Sequence, residues 1–167
     1  MSQNPNDQFS NQNPGGFEQP QADPYSPPNF TQQPAPDFDA YGNPIAPDAK
    51  TMSLLSHLSS LGLYVVTAST LSFLGPLIFW FIFKNKPGYK FTAASSARAF
   101  NFNFTIWLIN LGAWALSIIT LGLAFPLTGL ILLATTVLMF IFHIIGAVRA
   151  SRGEVYDYPM QVRILKD

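Results

Sequence analysis

The sequence predicts an all-α integral membrane protein of four helical segments, two hairpins of which the first is short, behind a disordered N-terminal tail. Three observations predict it. Residues 51–83 contain no Asp, Glu, Lys or Arg, and residues 99–148 contain none either. Residues 1–50 hold 10 of the 14 prolines and almost no aliphatic side chains. Charge divides at the same place: residues 1–50 carry six acids against Lys50 alone, a net of −5, whereas residues 51–167 carry eight bases and three acids, a net of +5. A helix that is apolar all round lies in a deep core or in lipid, and a chain of 167 residues builds no core large enough to cover so much apolar surface.

The tail comes first. Residues 1–50 cannot bury enough apolar surface to offset chain entropy, and their prolines interrupt any helix or strand ladder. Phe9, Phe17, Tyr25, Phe30, Phe38 and Tyr41 are scattered without helical or strand period. They read as parts of a solvated linker or as weak multivalent contacts. The N-terminus has neither a basic start nor an apolar core, so no cleavable signal peptide is expected.

The membrane domain is expected at residues 51–167. A single helix over 52–83 would run about 48 Å against a hydrocarbon layer of ~30 Å. Thr67-Ala-Ser-Thr-Leu-Ser72 and Gly75-Pro76 interrupt it. Two short helices are therefore expected, at about 52–66 and 74–84, with one kinked span as the alternative; that alternative gives three spans in place of four segments. The second apolar stretch has room for two spans, at about 100–121 and 126–149. Gly122 and Pro126 place a tight turn between them, with Pro126 in the first turn of the last helix.

Lys84, Lys86, Lys90 and Arg98 precede the third helix, and Arg149 and Arg152 follow the fourth, whereas the turn near Gly122 carries no charge. The excess of basic residues places the loop at 84–98 and the C-terminus in the cytoplasm and, with four segments, the tail in the cytoplasm as well. Trp80, Tyr156 and Tyr158 are expected at the headgroup layer as interfacial anchors.

Polar residues recur at helical spacing inside the apolar stretches. Ser53, Ser56, His57, Ser60 and Tyr64 form one stripe, and Asn103, Trp107, Asn110, Trp114 and Ser117 form another. Lipid satisfies no amide, so these stripes face other helices, water or another subunit. His57 and His143 are the only ionisable groups deep in the apolar stretches. Each reads as a neutral imidazole shared between helices or as an intramembrane functional group. The candidate packing residues are thus His57, Asn103, Asn110 and His143.

No enzyme is expected. Without cysteine there is no disulfide, thiolate site or thiol nucleophile, and the chain has no phosphate-binding glycine loop, HExxH or nucleophile elbow. Two histidines do not make a metal site, so neither metal nor cofactor is expected. The basic residues flank membrane segments and do not form a nucleic-acid surface. The expected partners are the lipid bilayer and a second copy of the chain or other membrane subunits.

Three local patterns carry a family resemblance over residues 50–165. They are Leu74-Gly-Pro-Leu-Ile-Phe-Trp80 with Lys84 behind it, Phe100-Asn-Phe-Asn103, and Gly153-Glu-Val-Tyr-Asp-Tyr-Pro159 followed by Arg163. In combination and order they resemble a widespread family of small bacterial multi-pass membrane proteins of unknown function. That family is distantly similar to the Tic-type channel subunit of the chloroplast inner-envelope translocon. In that family an acidic residue usually stands where Arg98 stands here, and Gln where Asn103 stands. The resemblance implies a location in the plasma membrane of a bacterium. The residues themselves are read as those of a non-enzymatic scaffold or assembly subunit; the alternative, by analogy with the plastid subunit, is a component of a transport or protein-translocation complex.

Overall fold

The computed structural model describes residues 36–166. They form four helices behind a small hairpin: β1 (Asp37–Phe38), β2 (Pro44–Ile45), α1 (Ala49–Val66), α2 (Leu74–Phe83), α3 (Lys90–Ile119) and α4 (Phe125–Ser151). The part of the expected tail at 1–35 lies outside the described residues.

Residues 36–48 correct the other part of that tail. β1 and β2 pair antiparallel, with Asp37 opposite Ile45 and Phe38 opposite Pro44. The turn closes on Asp39, whose carboxylate accepts from the backbone N–H groups of Tyr41 (2.9 Å) and Asn43 (2.8 Å), while Gly42 takes φ +81°. The hairpin is docked: Ala40 N–H donates to Gly153 O at 3.0 Å, Ala46 N–H to Gly88 O at 3.0 Å, and Ile45 is buried. An Asx turn and two backbone bonds hold a segment whose composition predicted none of this.

α1 begins three residues earlier than expected, at Ala49. Its first turn is fixed from α3, where the Thr92 hydroxyl donates to Ala49 O at 2.9 Å. Asp48, just ahead of the helix, accepts from the Tyr89 hydroxyl. Residues 46–49 therefore lie beside 88–92, and the α1–α2 hairpin returns to the end from which it starts. That geometry removes the single kinked span. Among the described residues two helices are long and apolar enough to cross a membrane, α3 and α4.

The first hairpin stops part-way along the second. Its turn is anchored where Asn103 Nδ2 donates to Ser72 O (3.1 Å) and where Tyr64 and Thr136 share a hydroxyl bond (2.7 Å). At ~1.5 Å per residue α3 runs on about 24 Å beyond Asn103, and α4 starts about 17 Å before Thr136. Backbone within the turn is satisfied locally. Thr67 Oγ1 donates to Leu63 O (2.6 Å) and accepts from Leu71 N–H (3.1 Å), and Thr70 Oγ1 donates to Thr67 O (2.7 Å). Ala68 and Ser69 take left-handed φ of 47° and 71° to make the reversal. Gly75 lets α2 cross close to α1, since a Cβ there would overlap the Ser59 hydroxyl.

The largest boundary correction is in α3, which begins at Lys90 rather than near 100, so the loop expected at 84–98 spans only 84–89. Lys90 and Arg98 mark that segment as a loop by charge. Between them, though, lie Thr92, Ala93, Ser95, Ser96 and Ala97, all buried against α1 and α2. Small side chains let backbones approach closely, which is how polar-looking sequence becomes helix interior. The turn after α3 closes as the glycine predicts: Gly122 has φ +91° and donates to Ser117 O at 2.8 Å, and Pro126 sits in the first turn of α4. Beyond Trp107 the outward faces of α3 and α4 are apolar and exposed, from Leu108 and Leu111 to Leu130 and Leu133.

Candidate functional site

The polar residues collect in one buried seam at the level where the four helices meet. Its centre is His57, fully buried on α1. Its Nδ1 lies 2.7 Å from the Tyr158 hydroxyl and its Nε2 lies 2.9 Å from Ser95 Oγ. Burial pushes the Tyr158 phenol well above its usual pKa, helped by Tyr156, so the phenol stays protonated. Both ring nitrogens of His57 are thus engaged, tying α1 to α3 and to the C-terminal segment.

His143, on α4, completes the cluster. Its ring lies 6.1 Å from His57 and 5.3 Å from Tyr158, and its Nδ1 donates to Met139 O one turn back at 3.1 Å. The Tyr158 ring stacks on Phe102 at 4.7 Å. Gly146 makes the site possible: a Cβ there would fall 2.7 Å from the Tyr158 hydroxyl and 3.1 Å from the His57 ring. The C-terminal segment is held further along α3. Asn101 Oδ1 accepts from the N–H groups of Ile164 (3.0 Å) and Leu165 (2.8 Å), its Nδ2 donates to Leu165 O (2.9 Å), and Thr105 Oγ1 accepts from Val162 N–H (2.9 Å).

Tyr158 is a correction to the sequence reading. Expected at the headgroup layer, it is 4% exposed and sits inside the bundle. Its hydroxyl needs a partner when buried, and His57 supplies one. Tyr156 is half-buried, with Arg149 5.3 Å over its ring, and Trp80 is half-buried under Lys84 at 4.6 Å.

The other candidate residues are placed as follows. Asn103 is fully buried and bonded to the α1–α2 turn, and Asn110 Oδ1 accepts from Thr135 Oγ1 at 2.8 Å. A further clamp joins α3 to α4 where Ser117 and Thr128 lie 2.6 Å apart. Arg98 pairs with Asp157 at 2.6 Å and Arg149 with Glu154 at 3.7 Å. Lys84, Lys86, Lys90 and Arg152 are exposed at the same end.

Sequence reasoning missed Ser95, Gly146 and the burial of Tyr158. The signal for Gly146 was its position three residues after His143, on the same helical face. Among the described residues no group of three His, Cys, Asp or Glu side chains could hold a metal ion. Chemically, the seam offers neutral donors and acceptors bonded across helices, together with buried atoms that have no hydrogen-bond partner among the described residues, Asn103 Oδ1, Asn110 Nδ2 and His143 Nε2.

No curated protein and no solved structure matches the chain. A protein-family model does match, over residues 48–165, and its description is "Magnetosome magnetite crystal formation protein family". This match overturns the resemblance to relatives of the Tic-type channel subunit, and the transport role inferred from it falls too. The three patterns that carried it have local structural causes: a glycine where α2 crosses α1, an asparagine that holds a turn, and a tyrosine that plugs the bundle. Such features serve helix packing and do not identify a channel. With the match covering the whole membrane domain, this chain belongs to the magnetosome magnetite crystal formation protein family.

Proposed function

We propose that this protein is a non-enzymatic assembly subunit of a membrane, and that it serves magnetite crystal formation as a structural component rather than as an iron-binding catalyst. The observation that carries this reading is the interhelical seam. His57 bonds Ser95 and Tyr158, Asn103 bonds Ser72 and Asn110 bonds Thr135, which ties the helices into a packed bundle with apolar outer faces. Membership of a family described by crystal formation supports the setting.

The proposed location is the cell membrane of a bacterium. The basic end, with Lys84, Lys86, Lys90, Arg149 and Arg152, faces the cytoplasm. In this arrangement the N-terminal tail and the C-terminal segment share the cytoplasmic side, because α1 and α3 start at the same end. The partners are a second copy or other membrane subunits, met through the exposed apolar face of α3 and α4.

Crosslinking and affinity recovery of the tagged full-length chain from its native membrane tests the role. Recovery of itself or of other integral membrane subunits is expected. A chain recovered without crosslinked protein, or with stoichiometric iron in elemental analysis, overturns the proposal. Membrane fractionation tests the location, and proteolysis of sealed vesicles tests the orientation.

A further inference from the structure

The basic residues of the membrane domain fall into two sets. Arg98, Arg149 and Arg163 each have a carboxylate within 4 Å, at 2.6 Å, 3.7 Å and 3.6 Å respectively. Lys84 and Lys90 have no ion pair with a carboxylate among the described residues, and both line one cavity of about 650 Å³ between the end of α2 and the start of α3. Trp80, Asn85, Ala93, Ala94 and Lys166 complete its walls, so the described lining contains three cations and no acid. The Lys84 ammonium lies 4.6 Å over the Trp80 ring and 4.1 Å over Phe81, which holds it at the cavity mouth. A neighbouring cavity under the β-hairpin shares Lys84, Asn85 and Lys90 and adds Lys86, but there Asp39 offsets one of the three cations.

The cavity also has an apolar doorstep. Ile78, Phe81 and Ile82 are 55%, 66% and 59% exposed on the outer face of α2, directly beside Trp80 and Lys84. Cations over a small-residue floor, an indole at the rim and an apolar ramp leading away describe a headgroup and its chains together. A soluble phosphate would use only the first of these features. We propose that this cavity binds an anionic phospholipid, its phosphate held by Lys84 and Lys90 and its acyl chains lying along Ile78 and Ile82. Lysines at a membrane flank satisfy the orientation rule wherever they point. Here, two elements bring them to the wall of one acid-free concavity.

The test uses full-length protein in nanodiscs and Trp80 as reporter, with Trp107 and Trp114 as a shared background. Bromine-labelled phosphatidylglycerol is expected to quench more than the same fraction of bromine-labelled phosphatidylcholine. Lys84→Gln with Lys90→Gln is expected to remove that excess, at roughly fivefold in lipid preference per lysine. Lys84→Arg with Lys90→Arg is expected to keep it. Arg149→Gln with Arg152→Gln removes equal charge from the other rim and is expected to keep it too; equal loss there shows diffuse surface attraction and overturns the site. Inorganic phosphate is compared with chloride at matched ionic strength. If phosphate alone erases the excess, the cavity takes free phosphate and the lipid assignment fails. If the glutamine variant does not fold, native mass spectrometry of the unaltered protein decides: retention of phosphatidylglycerol no better than phosphatidylcholine overturns the proposal.

Discussion

The two hairpins solve the problem of burying polar groups in a membrane domain in opposite ways. In α1–α2 the polar residues form a continuous stripe: Ser53, Ser56, His57 and Ser60 are all fully buried at one helical spacing, against α3 and α4. In α3–α4 beyond Trp107 they are isolated clamps, Asn110 on Thr135 and Ser117 on Thr128, set in otherwise apolar helices. The difference follows from length. A helix pair long enough to span is positioned by lipid on every side and needs polar contacts only to fix register. A pair that stops part-way has its turn beside the longer helices, where its backbone is held by its own threonine hydroxyls and by Asn103 of α3. The short hairpin therefore depends on its polar bonds more than the long one does, and that dependence can be measured.

The largest effect is expected at Gly146. Gly146→Val drives a branched side chain into the Tyr158 hydroxyl and the His57 ring, adding overpacking to a lost buried hydrogen bond. A loss of roughly 2–5 kcal/mol is expected in denaturant unfolding of the detergent-solubilised protein. Gly129→Val, at a position on α4 with open space around it, should cost less than half as much. Equal losses would mean that the crowding at His57 is not what makes Gly146 necessary.

Tyr158→Phe comes next. It keeps the stack on Phe102 but leaves His57 Nδ1 without its partner, for an expected cost of about 1–3 kcal/mol. Tyr156→Phe removes a hydroxyl from a half-buried ring and should cost under ~0.5 kcal/mol. Matching costs for the two would place Tyr158 back at the interface and sink the plug.

The clamps of the long hairpin should be weaker. A double-mutant cycle on Asn110→Leu and Thr135→Val is expected to give a coupling near ~0.6 kcal/mol, the usual scale for hydrogen bonds between membrane helices. A cycle on His57→Leu and Tyr158→Phe should give a larger coupling. If the order is reversed, the short hairpin is not the one that relies on polar bonds.

Legibility in the sequence tracks this same contrast. The long hairpin was readable because its signal is composition: 50 uncharged residues at 99–148, with a glycine and a proline where the chain turns. The stripe on α1 was readable from its period. What it touches was not, because Ser95 and Tyr158 are 38 and 101 residues from His57 and no local pattern announces them. The first ten residues of α3 were misread for a physical reason: Lys90 and Arg98 suggest solvent, while Ala93, Ser95, Ser96 and Ala97 between them are buried. Tyr158 was misplaced because a tyrosine before a proline serves equally well at a headgroup or in a core. Only the imidazole waiting inside separates the two.

The smallest effect lies farthest from the seam, at the hairpin of β1 and β2, and it tests the contrast from outside the bundle. Lys50 donates to Asp37 at 3.0 Å, and the carboxylate also accepts from Phe38 N–H at 2.8 Å. The lysine bond first, and the backbone bond second, hold the Asp37 carboxyl below its ordinary pKa. A lowered carboxylate pKa in the folded state means that the tie is fully present above the unfolded value, near ~3.9, and is lost as pH falls through the lowered one. Protection of the Ala40 and Ala46 amides, measured against their intrinsic exchange rates, should therefore fall below about pH 4, while protection in α1 around His57 persists, because Asp37 is half-exposed and its tie holds only the hairpin. Lys50→Gln should bring that loss of protection already at neutral pH. Loosening of α1 together with the hairpin would show that the segment at 36–48 is part of the bundle's cooperative unit and not a strap laid across its basic end.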